Sequence, residues 1–286
     1  MEKKSAHSSW HARYGRWALI TGAAQGLGAA YARLLAQRGM HLVLVDVQEQ
    51  VRQVAMELEE ICGVETRPLL VDLADRGAPA ALMAPLEALD CRLLVYCAAY
   101  GPVKDFWEND AAELDRYVDV NARALLQLSH AFSRRLQQRE ATGGLIIISS
   151  LAGLWGTSLV APYGATKAFD WNLAEALHYE LKPSGIDVLA VCAGAMRTPN
   201  YLATRPQYGR LRPRVDDPAD IAGRTLRQLG RRAFYVPGGA NRLLHFLFSR
   251  LLPRAWAAGL MNRTMRRMYG RTSTFRQTGK NEGSGE

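Results

Sequence analysis

Cysteines and long apolar runs are both scarce in this sequence. Its 286 residues include four cysteines and no CxxC pair, which argues against a disulfide framework and a cysteine-based zinc site. No stretch reaches the ~18 uninterrupted apolar residues that a transmembrane helix needs. The first 17 residues also lack the apolar core of a signal peptide. We therefore expect reduced thiols, no metal site and a cytoplasmic location.

Acidic residues are scarce in the last third of the chain. Residues 197–286 hold 18 Lys+Arg and 5 Asp+Glu, a net charge of +13. Residues 1–196 hold 18 Lys+Arg and 22 Asp+Glu, a net charge of −4. The overall charge of +9 is therefore a property of the C-terminal region, attached to a slightly acidic body.

The remaining composition is that of a globular protein with a sizeable core, at 48% hydrophobic and 22% charged residues. Short aliphatic runs alternate with amphipathic stretches, and several runs, such as Leu145–Ile148, are apolar throughout. This pattern is typical of buried parallel strands and predicts an α/β, Rossmann-type, doubly wound sheet. The predicted strands are Trp17–Thr21, His41–Asp46, Arg67–Val71, Leu93–Cys97, Gly144–Ser149 and Asp187–Cys192. The predicted helices are Leu27–Gln37, Glu49–Ile61, Pro79–Leu89, Glu113–Gln138 and Tyr163–Leu181.

One domain without internal repeats or linkers is expected. The predicted organisation is an N-terminal tail at 1–15, a single domain at 16–240, a basic helical extension at 241–271 and a disordered tail at 272–286.

A glycine-rich turn follows the first predicted strand. Gly22, Gly26 and Gly28 link that strand to a helix, where backbone N–H groups and the helix dipole can meet a pyrophosphate. Asp46 ends the second strand, where its carboxylate can accept hydrogen bonds from both ribose hydroxyls. That carboxylate repels a 2′-phosphate and Val47 offers no compensating charge, so NAD is favoured over NADP.

Further motifs follow this turn in order. Tyr163 and Lys167 form a Tyr-x-x-x-Lys pair, Ser150 precedes the tyrosine by 13 residues, and Asn121 ends an Asp-Val-Asn sequence. Together with the Thr-Gly-x-x-x-Gly-x-Gly turn, this set resembles the short-chain dehydrogenase/reductase family over roughly residues 16–200.

The Tyr–Lys pair has a chemical rationale of its own. Residues at i and i+4 share a helix face, and an ammonium beside a phenol stabilises the phenolate needed for proton transfer near neutral pH. The resemblance implies that Tyr163 is the general acid/base and Ser150 holds the substrate oxygen, which makes both of them substrate-binding residues. It also implies that Lys167 holds the nicotinamide ribose and that Asn121 supports a water relay toward Lys167.

The resemblance implies a nicotinamide cofactor, with NADP less favoured than NAD. The predicted cofactor-binding residues are Thr21, Gly22, Gly26, Leu27, Gly28, Asp46, Asp72, Leu73, Ala98, Tyr163, Lys167 and Thr198.

Two segments depart from the family pattern. The family's Asn-Asn-Ala-Gly is Tyr96–Ala99 here, so we expect a loss of hydrogen bonds that brace the backbone and a tighter approach at Ala99. The family's Pro-Gly-x-x-x-Thr is Ala193-Gly194 followed by Thr198, which is a milder change.

The substrate side is predicted to be apolar. The residues concerned are Leu154, Trp155, Leu159, Val160, Met196, Tyr201, Leu202, Tyr208 and Leu211. A hydrophobic alcohol or ketone of lipid, steroid or acyl type fits such a lining, and ordinary lid packing is the alternative. Five arginines in the same loop offer either an anion contact or a solvated face; they are Arg197, Arg205, Arg210, Arg212 and Arg214.

Residues 241–271 combine arginines with large apolar side chains and contain no acid. Arg242, His245 and Ser249 share one predicted helical stripe, and Leu244, Leu247 and Leu251 share another. The segment fits a helix pair that packs on the core or closes a homo-oligomer, or one that contacts an anionic membrane. Nucleic acid is not expected, since no reader motif is present.

These features predict an NAD(P)-dependent oxidoreductase that acts on a hydrophobic secondary alcohol or ketone. The rival hypothesis is a cofactor-binding, membrane-associated protein with little catalysis.

Overall fold

A computed structural model describes residues 10–208 and 213–270 of the chain. Seven parallel strands form one sheet in the order β3-β2-β1-β4-β5-β6-β7. The strands are β1 Trp17–Thr21, β2 His41–Asp46, β3 Thr66–Leu70, β4 Cys91–Tyr96, β5 Gly143–Ser150, β6 Ile186–Ala193 and β7 Phe234–Tyr235.

Helices connect successive strands and cover both faces of the sheet. They are α1 Gly26–Ala36, α2 Gln50–Cys62, α3 Ala78–Met83, α4 Ala111–Val118, α5 Ala124–Gln138, α6 Ala161–Leu181, α7 Pro199–Ala203, α8 Pro218–Leu226, α9 Gly239–Phe246 and α10 Arg254–Tyr269. Two π-helical segments follow α4 and α9, at Asp119–Arg123 and Leu247–Leu251. The predicted fold class is confirmed.

The central strands are apolar throughout because both of their faces are buried. In β1, Ala18 and Ile20 pack on the side of α1, α2 and α8, whereas Trp17 and Leu19 pack on the side of α3, α5 and α6. These four side chains are at most 6% exposed. Burial of each large aliphatic side chain contributes about 1.5–3 kcal/mol to the driving force for folding.

The six predicted strands are confirmed, with ends that shift by at most two residues. The predicted helix Pro79–Leu89 is instead α3 followed by a short 3₁₀ turn, Ala84–Leu86, whose proline removes a backbone donor. The predicted helix Glu113–Gln138 starts earlier, at Ala111, and contains the π segment. Sequence patterning predicts neither β7 nor α8. A strand of two residues, such as β7, is too short to show a hydrophobic period.

Strand order reverses direction between β1 and β4, which lie side by side although β2 and β3 separate them in the chain. In parallel α/β sheets, a crevice opens at this point beyond the carboxyl ends of the strands. The fold therefore brings together the segments that follow β1, β2, β4, β5 and β6.

Residues 10–14 of the predicted N-terminal tail form a helical turn that packs on the domain. Arg13 donates two hydrogen bonds to Asp187 at the start of β6, and the Tyr14 hydroxyl donates a third at 2.8 Å. Trp10 packs beside Met40, with its indole N–H 3.2 Å from the thioether sulfur. Residues 1–9 and the predicted disordered tail at 272–286 lie outside the described residues.

The C-terminal extension, residues 241–271, is helical as predicted and is described as far as Gly270. Phe248 and Ala257 are buried against Trp155, whose ring centroid lies 5.4 Å from that of Phe248. One side of the extension thus packs on the body. Within residues 10–208 and 213–270, no helix has the length and hydropathy needed to cross a bilayer.

Candidate active site

A cleft of about 410 Å³ lies at the carboxyl ends of β1, β2, β4, β5 and β6. Most of the predicted site residues line it. They are Gly22, Gly26, Leu27, Gly28, Asp46, Asp72, Leu73, Ala98, Ser150, Tyr163, Lys167 and Thr198. Thr21 and Asn121 are fully buried behind the lining.

The glycine turn has the conformation and close packing that its sequence predicts. Gly22 and Gly26 adopt positive φ values of +68° and +58°, which side chains disfavour. A Cβ at Gly28 lies 2.0 Å from the carbonyl oxygen of Gly22, and a Cβ at Gly22 lies 2.9 Å from the backbone nitrogen of Ala98. Only glycine therefore permits this approach of α1 and the β4 loop to the turn.

The N-terminus of α1 opens into the cleft without a side-chain cap. Gln25 occupies the N-cap position but makes no capping hydrogen bond, and the first turn has no acid. The backbone N–H groups of the first turn of α1 and the positive end of the helix dipole are thus available to an anion. This donor set, beside the glycine cradle, fits a pyrophosphate.

Asp46 is held rigidly at the end of β2. Its Oδ2 accepts a hydrogen bond from the backbone N–H of Ala24 at 2.9 Å, and its Oδ1 accepts one from Gln48 at 3.0 Å. The carboxylate is 9% exposed and lines the cleft beside Val47. The lining next to it is therefore anionic.

Asp72 forms the far wall with a partner that sequence reasoning missed. One oxygen accepts from the backbone N–H of Ala74 at 2.9 Å, and the other accepts from Arg116 at 2.9 Å. Arg116 also lies over the ring of Tyr100, 5.6 Å from its centroid. Asp72 and Arg116 are 44 positions apart in the chain, so no local pattern predicts this pair.

The catalytic candidates converge at the other end of the cleft. Ser150 ends β5, and its Oγ accepts a hydrogen bond from the backbone N–H of Ala152 at 3.2 Å. Tyr163 lies in the first turns of α6, and its ring packs directly on Gly101. A Cβ added at Gly101 would lie only 2.5 Å from the ring. Ser150 and Tyr163 thus line one part of the cleft, with backbone packing behind the phenol.

Lys167 is buried one turn further along α6. Its Nζ lies 5.8 Å from the Tyr163 ring centroid and donates to the carbonyl of Ile148 at 2.9 Å. It also donates to Asp170 at 2.7 Å, an ion pair that was not among the predicted site residues. The sequence does contain a clue to this ion pair, because Asp170 follows Lys167 by three residues and so lies on the same helix face.

Asn121 lies in the π segment between α4 and α5. Its Oδ1 accepts from the backbone N–H of Tyr100, and its Nδ2 donates to the Tyr100 carbonyl and to Thr166 Oγ1. The amide thus joins the β4 loop to α6, between Tyr163 and Lys167 in the sequence. The π turn aims this side chain inward, a use of π-bulges common at functional sites.

The segment Tyr96–Ala99 is held by hydrogen bonds of its own. The hydroxyl of Tyr96 donates to the carbonyl of Val120 at 2.5 Å, next to Asn121. Thr21 Oγ1 accepts hydrogen bonds from the backbone N–H groups of Cys97 and Ala98, both at 3.2 Å. A tyrosine and a threonine hydroxyl therefore brace this segment.

The segment after β6 closes the cleft from the opposite side. Thr198 caps α7 by accepting from the backbone N–H of Tyr201 at 3.2 Å. Gln25 Nε2 donates to Asn200 Oδ1 at 3.1 Å, so a hydrogen bond joins the glycine turn to α7 across the cleft. Gln25 and Asn200 were not predicted, because their approach depends on how two distant loops fold.

Part of the predicted substrate lining has a different role. Met196 lines the cleft, but Trp155 packs on Phe248 of the C-terminal extension. Asn262 of α10 joins the same loop, accepting from the backbone N–H of Ser158 at 2.6 Å and donating to the Gly156 carbonyl at 2.9 Å. Leu211, Arg210 and Arg212 lie outside the described residues.

Comparison with known proteins identifies the family. Residues 16–209 match the family model for short chain dehydrogenases. The chain belongs to the short-chain dehydrogenase family. It is accordingly an oxidoreductase of the CH–OH class that uses a nicotinamide cofactor of the NAD(P) type.

Named relatives lie within this short-chain dehydrogenase family. The chain is 30% identical to a 7β-hydroxysteroid dehydrogenase of Clostridium sardiniense over 231 residues, covering 80% of this chain and 88% of the relative. A solved 7β-hydroxysteroid dehydrogenase structure has a TM-score of 0.81 at 25% identity and covers 88% and 98% of the two chains. A short-chain dehydrogenase of Sphingobium yanoikuyae in complex with NADPH has a TM-score of 0.70 at 28% identity and covers 94% and 98%.

Proposed function

We propose that this protein catalyses NAD-linked interconversion of a hydrophobic secondary alcohol and its ketone. The observation that carries the proposal is one cleft with Ser150, Tyr163 and Lys167 on its β5 side and the carboxylate of Asp46 on its β2 side. Between them lie the uncapped N-terminus of α1 and the glycine cradle. This order of groups matches a bound dinucleotide, from adenosine to nicotinamide.

The proposed roles combine this geometry with those that the family resemblance implies. Hydride exchange with the substrate carbon is the chemistry that the bound cofactor supplies. Ser150 holds the substrate oxygen, and Tyr163 transfers the proton to or from it. Lys167 stabilises the phenolate and binds the nicotinamide ribose. Asn121 acts indirectly, because its amide is occupied by Tyr100 and Thr166.

Asp46 supports NAD as the preferred cofactor. Both carboxylate oxygens are fixed by backbone N–H groups, so the charge cannot swing away from a 2′-phosphate. The neighbouring lining residues Gln25, Val47 and Gln48 carry no positive charge. One solved family member binds NADPH, so cofactor choice varies within the family, and we base the preference on these residues of this chain.

The substrate class is proposed from the lining and from the relatives. Met196 contributes an apolar side chain to the cleft, and Leu151 and Leu154, which follow Ser150, pack in an apolar cluster with Cys192 and Val236. Two of the three proteins compared above are 7β-hydroxysteroid dehydrogenases. A bulky hydrophobic alcohol or ketone of steroid or lipid type is therefore the proposed substrate.

A substrate and cofactor screen tests this function. Purified protein is offered NAD and NADP with a panel of steroid, lipid and short polar alcohols and ketones, and cofactor absorbance is followed. We expect turnover with bulky hydrophobic members and a higher kcat/KM with NAD. Cofactor binding without turnover across the panel contradicts the proposal and supports the rival, a binding protein with little catalysis.

We also propose that the C-terminal extension contacts an anionic membrane surface. Its large apolar side chains that remain 37–71% exposed are Leu243, Phe246, Leu247, Leu251, Trp256 and Leu260. Its exposed arginines are Arg242, Arg250, Arg254, Arg263, Arg266 and Arg267. Helices that lie in a membrane interface combine apolar side chains with arginines in this way.

A further inference from the structure

A buried ion pair lies directly behind the proposed proton-transfer centre. The side chains of Lys167 and Asp170 are 3% and 0% exposed, and Nζ lies 2.7 Å from Oδ2. The other oxygen of Asp170 is buried without a hydrogen-bond partner. The carboxylate is therefore directed at the ammonium and otherwise poorly solvated.

A buried ammonium is unstable without a counter-charge. Taking the charge out of water favours the neutral amine, and removing one member of a buried pair is strongly unfavourable. Burial lowers the pKa of Lys167, but the charges of Asp170 and Tyr163 raise it, and the net direction is upward. Burial raises the pKa of Asp170, and the Lys167 ammonium offsets part of that rise.

The pair also fixes the direction of the ammonium. An ammonium has three N–H donors; one is directed to the carbonyl of Ile148 at 2.9 Å and one to Asp170. The Tyr163 ring centroid lies 5.8 Å from Nζ. Two of the three donors are thus held on the protein side, and one remains for the cleft.

We propose that Asp170 is a positioning residue of the active site: its carboxylate keeps Lys167 charged and holds the ammonium so that one donor faces the cleft beside Tyr163. The inference rests on the proposed function of Lys167. Asp170 acts through that lysine and does not line the cleft itself.

Other titratable groups lie near the pair, but Asp170 is the counter-ion of Lys167. Tyr96 and Cys97 of the β4 end and Cys192 of β6 interact electrostatically with the pair. Burial raises the pKa of Cys192 to about 12 and raises the pKa values of Tyr96 and Cys97 well above their usual range. These three groups stay neutral at physiological pH, so they supply no alternative counter-ion.

A direct test measures the charge of Lys167 without turnover. The chain has only six lysines, so a protein with isotopically labelled lysine gives a simple NMR titration, assigned with Lys167→Arg. In the cofactor-free protein we expect Lys167 to stay charged to pH 10. In Asp170→Asn its pKa should fall by about 2 units or more. An unchanged titration in Asp170→Asn overturns the proposal.

Activity supplies a second, independent readout. As the pH rises through the lowered pKa of Lys167, Asp170→Asn should lose kcat/KM on the alkaline side, where the unmodified enzyme remains active. Asp170→Glu should restore most of the alkaline activity because it keeps the charge. A uniform loss at every pH indicates a merely structural role and contradicts the proposal.

Asp187→Asn is the matched control, because it breaks another ion pair at the opposite end of the sheet, between the buried carboxylate of Asp187 and the half-exposed Arg13. It should lower stability and leave the shape of the pH profile unchanged. If Asp170→Asn does not fold, Asp170→Ser replaces it in both measurements. A wild-type protein without any turnover contradicts the proposed function, whereas the NMR titration still decides the role of Asp170.

Discussion

The body and the C-terminal extension of this chain use charge in opposite ways. In the body, functional charges are paired or fixed, as in Lys167 with Asp170 and Asp72 with Arg116. In the extension, six exposed arginines lie among exposed apolar side chains, and no ion pair joins them to a carboxylate within residues 10–208 and 213–270. Paired charges give a site defined geometry, whereas unpaired surface charges leave a surface able to bind an anionic partner.

The largest expected change in binding concerns the extension. The triple substitution Arg250→Gln, Arg254→Gln and Arg263→Gln should weaken binding to vesicles that contain anionic lipid by about 100-fold, at about 1 kcal/mol for each arginine. Sedimentation with vesicles at low and high salt measures this effect. Turnover of a water-soluble substrate should be unchanged.

The control for that prediction is Arg52→Gln, Arg67→Gln and Arg76→Gln, an equal loss of charge from the body. Similar vesicle binding by both triple variants, or binding that does not respond to salt, contradicts a specific role of the extension.

A second prediction concerns the glycine turn of the body. Gly28→Ala forces a Cβ to within 2.0 Å of the Gly22 carbonyl oxygen. The cost of such overpacking, about 1–3 kcal/mol, should weaken cofactor binding by about tenfold or more. Titration of the purified variant with NAD, followed by fluorescence or calorimetry, measures the change.

Gly259→Ala is the matched control, because a Cβ there has no neighbour within 4 Å. It should retain cofactor binding, and Gly28→Ala should retain vesicle binding. If Gly28→Ala instead reduces vesicle binding, the two regions do not act independently as the comparison requires.

The smallest expected effect is a change of cofactor preference. Asp46→Asn keeps an acceptor for one of the two backbone N–H groups and removes the negative charge beside the ribose. The ratio of kcat/KM for NAD over NADP should fall by about tenfold, mainly through a lower KM for NADP. An unchanged ratio indicates that cofactor choice depends on other residues.

Sequence reasoning predicts the parallel sheet and most of the cleft because their signals are local. Fully apolar strands are stable only when both of their faces are buried. The turn at Gly22, Gly26 and Gly28 requires glycine at Gly22 and Gly28 because a Cβ there would meet backbone atoms, which every neighbouring residue has. The Tyr163–Lys167 spacing likewise needs only one helix to bring both residues to the same face.

Features that depend on distant contacts escape such reasoning. The hydrogen bond between Gln25 and Asn200 forms only when two loops far apart in the sequence meet. The hydroxyl of Tyr96 braces the end of β4 through a hydrogen bond to Val120 that no motif describes.

The side-chain directions in the extension were also not predicted correctly from the sequence. Its predicted leucine stripe is not a single face: Leu244 packs toward Trp155, whereas Leu251 is 63% exposed. The reason is the π segment Leu247–Leu251, which changes the rotation per residue and so moves later side chains off the α-helical stripe.

The most direct test of the central claim compares the wild-type protein with Tyr163→Phe. We predict that the wild type reduces a bulky hydrophobic ketone with NADH, and that the variant binds the cofactor normally but loses about 10²–10⁴-fold in kcat, since only the proton-transferring hydroxyl is removed. Full activity in Tyr163→Phe contradicts the assignment of this cleft as the active site.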